Sequence, residues 1–295
     1  MTSPIACDLS YVIIAYNDAG RLPKAISSAA LAGARAGLDY EIIVADNGST
    51  DDTPGLLRAF GQALGPRLLC LDLKRNTGTT YSRNRALKRA RGRFICIMDS
   101  DAEILGDIAP VLDLLAALPE VGIVGPAIRM PDGSLYNSVK MLPTLADKLW
   151  KLPGIFLRRP TVNHDWYPDF PFARLRCVHS AISCCWFLRR DAWQRIGPLD
   201  ERIFYAPEDV DYCLRAWQAG LAVVYFPGLE VLHHTRHISH RNPLSATAIS
   251  HLKGLIYYLA KHGYWFGRRG PQRRYIDPLS ARLTPRLAAW EAARP

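Results

Sequence analysis

The 295-residue sequence has no CxxC pair, no internal repeat, no low-complexity tract and no long apolar run. Each absence removes a class of protein. Without CxxC, a thiolate zinc site is not expected. Without a run of about 18 uncharged apolar residues, no membrane-spanning helix is expected. The first ten residues, MTSPIACDLS, lack the basic-then-apolar order of a signal peptide. The seven cysteines form no disulfide framework, and Cys70, Cys96 and Cys185 lie within apolar strand-like runs, where cysteine behaves as a small hydrophobe. A reducing compartment follows, and a cytoplasmic location is expected. No GxGxxG follows the first apolar run, which excludes a dinucleotide oxidoreductase. A sugar nucleotidyltransferase would need a Gly-rich basic loop where Ala15-Tyr16-Asn17-Asp18 stands. Acidic residues are scarce near the end: residues 240–295 hold ten Lys/Arg and two Asp/Glu, so +8 of the net +10 lies there.

Hydrophobic residues make up 49% and charged residues 22%, which excludes wholesale disorder. The first 130 positions alternate strand and helix patterns. Strands are predicted at residues 9–15, 41–45, 67–73, 93–98 and 121–124, and helices at residues 18–37, 51–64, 79–90 and 107–118. This alternation predicts an α/β fold with a doubly wound, mostly parallel sheet. Ligands in such sheets gather at the carboxyl ends of the strands. Residues 130–176 are irregular and punctuated by proline, as a functional insertion would be. Strands are predicted again at residues 180–188 and 222–226, with a helix at residues 208–219 between them. The expected division is a catalytic domain over residues 1–240 and a basic helical tail over residues 241–295.

Five clusters fall where ligands gather. Asp46-Asn47-Gly48-Ser49-Thr50-Asp51 follows the second strand; a capped turn explains it, as does an Asp46 that accepts hydrogen bonds from a base or sugar. Asn76-Thr77-Gly78 and Arg83-Asn84 follow the third, where Gly78 lets the backbone approach a ligand closely. Asp99-Ser100-Asp101 follows the fourth; two carboxylates so close repel unless a cation lies between them. Glu208, Asp209 and Asp211 open a helix, where they suit its dipole, while a carboxylate held there can also act as a base. Asp211 and Arg215 are spaced to pair. His233, His234, His237 and His240 offer imidazoles to a Mn-like ion if the fold returns them to the acidic edge.

In this order, and together with Val12-Ile13-Ile14-Ala15-Tyr16-Asn17 and Leu199-Asp200-Glu201, the clusters resemble the family-2 inverting glycosyltransferases of the GT-A fold, in particular the bacterial rhamnosyltransferase-like group. The resemblance spans about residues 9–240. It implies an enzyme that moves a sugar from a nucleoside-diphosphate sugar (UDP-, dTDP- or GDP-) to a hydroxyl of a glycan or lipid-linked acceptor in surface polysaccharide synthesis. It places Tyr16, Asn17, Asp46, Asn76, Gly78, Arg83, Asp99 and Ser100 around the donor. It gives Asp99 and Asp101, with His233 or His234, a Mg or Mn ion, makes Asp209 the catalytic base and has Glu208 orient the acceptor or Asp209. Alternatives are the sugar nucleotidyltransferase and a non-enzymatic basic module at a membrane surface.

In the tail, Leu252, Leu255, Ile256 and Leu259 form one helical face, with Lys253, Lys261, Arg268, Arg269, Arg273 and Arg274 nearby. Such a helix either lies in an anionic membrane interface, making the enzyme peripheral on its inner face, or packs on the catalytic domain. No nucleic-acid-binding motif accompanies the charge, so nucleic acid is not an expected partner.

Overall fold

Strands covered on both faces need continuous apolar runs, and the first half of the chain supplies them. The computed structural model describes residues 5–150, 164–167, 169–234 and 246–294. Strands β1 (Cys7–Ala15), β2 (Tyr40–Asp46), β3 (Leu68–Asp72) and β4 (Gly92–Asp99) alternate with helices α1 (Leu22–Arg35), α2 (Thr53–Leu64) and α3 (Gly78–Leu87). They pair in parallel in the order β3-β2-β1-β4. Ala15 lies level with Asp46, and Ile14 with Asp99, so the ends of three strands share one edge. The first helix starts four residues later than its periodicity predicts. Residues 18–21 form a turn in which the backbone N–H groups of Arg21 and Leu22 donate to the Asp18 carbonyl at 3.1 and 3.0 Å.

The other half of the sheet is mixed. It comprises β5 (Ala102–Ile104), β6 (Val121–Arg129) after α4 (Ala109–Ala117), β11 (Cys185–Arg189) and β12 (Ala222–His233). Strand β11 runs antiparallel between β4 and β6, β12 is parallel to β6, and β5 is antiparallel to β12. The short β7 (Leu135–Tyr136) extends β6, and β9 (Arg176–Cys177) joins β12; β8 (Val139–Lys140) and β10 (Ser180–Ala181) form a separate ribbon. Helix α5 (Leu145–Leu149) starts at a capping box of Thr144 and Asp147. Helices α6 (Arg190–Ile196) and α7 (Glu208–Gln218) follow.

Strand β12 is longer than the predicted residues 222–226. The chain shifts register at Pro227 and Gly228, and pairing resumes from Glu230 to His233. That extension carries a histidine to the acidic edge.

The tail is bonded to the rest of the protein. Helix α8 (Ala246–His262) buries Leu255, Tyr258 and Leu259. A Cβ on Gly254 would lie 2.1 Å from the Ala206 carbonyl oxygen, so only glycine permits this approach. Lys261 Nζ donates to Asp211 Oδ1 at 2.6 Å and to Asp200 Oδ2 at 2.8 Å. Tyr257 OH donates to the same Asp200 oxygen at 2.8 Å, and His262 Nε2 lies 2.9 Å from Asp211 Oδ1. Burial would raise the Asp211 pKa, but the bonds from His262 and Lys261 outweigh it and hold the carboxyl below its usual range. A helical turn at Arg269–Pro271, a π-turn at Gln272–Ile276 and α9 (Asp277–Ala292) complete the described chain, with Leu279, Leu283 and Leu287 of α9 buried. Removing a charged hydrogen-bond donor from a buried carboxylate costs about 1.5–3 kcal/mol. Lys261→Met is expected to lose about that much in urea unfolding; a loss below about 0.5 kcal/mol would mean that His262 and Arg215 satisfy Asp211 without it.

Candidate active site

Asp99 closes β4, and Asp101 lies in the turn before β5. The pairing of β12 with β5 sets His233 opposite Ala102, beside that turn. Ligand atoms of Asp99, Asp101 and His233 all lie within 4.8 Å of one another. His233 Nε2 is 3.3 Å from Asp101 Oδ1, and His233 Nδ1 is buried with no hydrogen-bond partner among the described residues. Two carboxylates and an imidazole, one of its nitrogens orphaned, fit a Mn-like divalent cation; Mg would keep more water. Burial raises the Asp99 pKa, Arg83 opposing it and Asp101 adding to it. At Asp101 burial is outweighed by the hydrogen bond and charge of His233, and its pKa falls. At His233 the hydrogen bond and charge of Asp101 outweigh burial, and its pKa rises.

His234 lies just past the end of β12, and its side chain turns to Glu103 and not to the acidic pair. His234 Nε2 meets Glu103 Oε1 at 2.5 Å. His233→Ala is expected to weaken Mn2+ binding by more than about tenfold, and His234→Ala by less than about threefold, by titration calorimetry. Equal losses would reverse this choice. His237 and His240 lie outside the described residues.

Arg83 is almost wholly buried in α3. Its Nη2 donates to Asp99 Oδ1 at 2.6 Å and to the Ser183 carbonyl at 3.1 Å. Its Nη1 donates to Ser183 Oγ at 2.8 Å and to Glu208 Oε1 at 3.2 Å. This guanidinium is engaged by protein groups and joins the Asp99 edge to the first turn of α7. Ser183 Oγ also donates to Glu208 Oε1 at 2.9 Å. Burial and the charge of Asp209 push Glu208 up to about 7 against the pull of Arg83. Asp209 is half-buried, and its Oδ1 accepts from the Val210 N–H at 2.8 Å.

Tyr16 is exposed at the end of β1. Asn17 takes a left-handed conformation, with φ of 50°, and its Oδ1 accepts from the Thr50 N–H at 2.7 Å. Asp46 is buried and accepts from the Ser49 N–H at 3.0 Å. Ser100 Oγ donates to Asp18 Oδ2 at 2.6 Å. Asn76 Oδ1 accepts from Asn47 Nδ2 at 3.0 Å, and Asn47 Oδ1 accepts from the Thr77 N–H at 2.8 Å. Gly78, with φ of 82°, does come close to another group, but that group is protein: a Cβ there would lie 2.3 Å from the Phe204 carbonyl oxygen. Arg21, Ser183 and the bridging role of Asn47 were not read from the sequence. Arg21 lies between the two carboxylate turns, bonded through Nε to Asp18 Oδ1 at 2.6 Å and 3.4 Å from Asp101 Oδ2 through Nη1.

A half-parallel sheet whose strand ends converge on an acidic edge is the architecture of the GT-A nucleotide-sugar transferases. The chain superposes on the crystal structure of GalNAc-T7 with UDP, GalNAc and Mn2+ at a TM-score of 0.64, with 16% identity, over 86% of this chain and 48% of that one. It superposes on S. aureus TarS 1–349 at 0.53, with 17% identity, over 77% and 60% of the two chains. The chain thus spans about half to three-fifths of the length of these proteins, and the likeness shows the shared GT-A fold. The chain belongs to glycosyl transferase family 2, whose profile matches residues 10–197. It is similar to the N-acetylglucosaminyl-diphospho-decaprenol L-rhamnosyltransferase of Mycobacterium tuberculosis, at 32% identity over 280 residues, 90% of this chain and 88% of that protein. It is also similar to the O-antigen biosynthesis protein RfbC of Myxococcus xanthus, at 27% identity over 228 residues, 76% of this chain and 17% of that protein.

Proposed function

We propose that this glycosyltransferase works in cell-surface polysaccharide synthesis, moving a sugar with inversion from a nucleoside-diphosphate sugar to a hydroxyl of a lipid-linked glycan. The mycobacterial relative favours L-rhamnose as the sugar and a diphosphate-lipid-linked sugar as the acceptor. The observation that carries the reading is the convergence of Asp99, Asp101 and His233 on one point, tied through Arg83 to the turn bearing Glu208 and Asp209.

Asp99, Asp101 and His233 would hold a Mg or Mn ion, which supplies charge stabilisation to the leaving diphosphate when bound. Tyr16, Asn17, Asp46, Asn76, Gly78 and Ser100 line or brace the strand ends that receive the donor, a UDP-, dTDP- or GDP-sugar. Asp209 accepts the proton of the acceptor hydroxyl as that oxygen forms its bond to the anomeric carbon. The bond from that carbon to the diphosphate oxygen breaks, and the nucleoside diphosphate leaves with the electron pair. One displacement from the opposite face inverts the configuration. Glu208, buried and held by Arg83 and Ser183, braces that cluster instead of competing for the proton.

A cytoplasmic enzyme at the inner face of the membrane suits a lipid-linked acceptor. Among the described residues no helix is long and apolar enough to cross a membrane. The test is to supply UDP-, dTDP- and GDP-sugars with Mn2+ and a short-chain lipid-diphosphate-linked N-acetylglucosamine, and to read the product's anomeric configuration by NMR. The inverted product is expected from one donor; a retained configuration, or no transfer from any donor, contradicts the proposal.

A further inference from the structure

Helix α8 has a second face that nothing described covers. Ile249, Leu252, Lys253, Ile256 and Ala260 recur at helical spacing and are all exposed, so they form one stripe. Ile249 is 46% exposed, Leu252 56% and Ile256 46%. Three half-exposed aliphatic side chains in one stripe are more than the scattered apolar residues of an ordinary surface. Their neighbours on the inward side, Leu255, Tyr258 and Leu259, already supply the packing that holds the helix. Lys253 stands within the stripe, and Arg269, Arg273 and Arg274 are exposed farther along the same basic segment. Phe204 and Tyr205, both exposed, belong to the loop that meets α8 where Gly254 presses on Ala206.

We propose that this stripe of α8 docks the enzyme on an anionic phospholipid bilayer, with Ile249, Leu252 and Ile256 at the headgroup–acyl boundary and the tail's cations over the headgroups. The charge selects this partner. A second protein chain would need only apolar complementarity, whereas Lys253 within the stripe and the exposed Arg269, Arg273 and Arg274 farther along complement an anionic surface. Lys253 can extend its stem along the apolar stripe and keep its ammonium in the headgroup layer.

The bonds of α8 give the docking a purpose. Lys261 and Tyr257 fasten the helix to Asp200, and Lys261 and His262 fasten it to Asp211, two residues past Asp209. A bilayer that orients α8 therefore also orients the turn carrying the proposed base. This purpose rests on the lipid-linked acceptor proposed above; the binding itself does not.

The test is vesicle co-sedimentation of the full chain with phosphatidylcholine alone and with about one-third phosphatidylglycerol, at low salt and at about 0.5 M salt. The protein is expected to sediment with the anionic vesicles at low salt, to release in high salt and to leave neutral vesicles mostly unbound. The double variant Leu252→Gln/Ile256→Gln should bind anionic vesicles at least about tenfold more weakly. Its melting temperature and Mn2+ affinity should match the parent, because both side chains are exposed. Equal binding of variant and parent, or no binding by the parent, would overturn the proposal. Dimerisation that the double variant loses, without vesicle binding, would also overturn it and give the stripe to a second copy. Absence of Mn2+ binding in both proteins would count against the metal-dependent reaction and leave the sedimentation result standing.

Discussion

Asp209→Asn is expected to lower sugar transfer by about 10²–10⁴-fold, the usual contribution of a positioned base, while nucleotide-sugar binding survives. Three acids open α7, and their surroundings separate them. Glu208 is buried and shares its Oε1 between Arg83 and Ser183. Asp211 is only 1% exposed and receives Lys261 and His262. Asp209 is half-buried, and its Oδ1 accepts a local bond from the Val210 N–H. Steady-state kinetics at saturating donor, with donor affinity measured separately by calorimetry, checks this. A variant that keeps more than a few per cent of turnover would move the base to Glu208 or Asp211.

Arg83→Met is expected to cost about 3–5 kcal/mol, because removing one partner of a buried ionic cluster leaves charge unpaired. Here Asp99 and Glu208 would both lose the same guanidinium. Lys at this position keeps the charge but not the fork that reaches Ser183 and both carboxylates, so Arg83→Lys should fall between parent and Met. Urea unfolding gives the order. If Met and Lys destabilise equally, the fork geometry matters more than the charge; if neither destabilises, the bridge is not what holds these turns together.

The parallel half of the sheet was legible because each of its strands is a short apolar run followed by turn residues, which burial demands of β1, β2 and β4, while β3 at the edge is largely exposed. The acidic turn at Asp99-Ser100-Asp101 was legible for the same reason: it ends one of them. What decided the third member of the cluster was not. The apolar run stops at Phe226, and only pairing with β6 and β5 shows that β12 continues to His233. The strand ends at His233, and His234 just beyond it turns to Glu103.

Arg83 shows a second limit. Its partners Ser183 and Glu208 lie 100 and 125 positions away, and local pattern carries no trace of them. The close contact of the Gly78 backbone with the Phe204 carbonyl is likewise one between residues far apart in sequence. For the tail, sequence periodicity offered membrane or packing as alternatives. The structure buries Leu255 and Leu259 of the four-residue face and exposes Leu252 and Ile256, so one helix has surface for both.

The central claim is that donor binding depends on a cation held by Asp99, Asp101 and His233. Titration calorimetry with UDP-, dTDP- and GDP-sugars, each with Mn2+ and then with excess EDTA, tests it most directly. One donor should bind with Mn2+ and lose binding in EDTA, and Asp99→Asn and Asp101→Asn should each abolish that metal-dependent binding in a folded protein. Donor binding that persists unchanged in EDTA and in both variants would contradict the account.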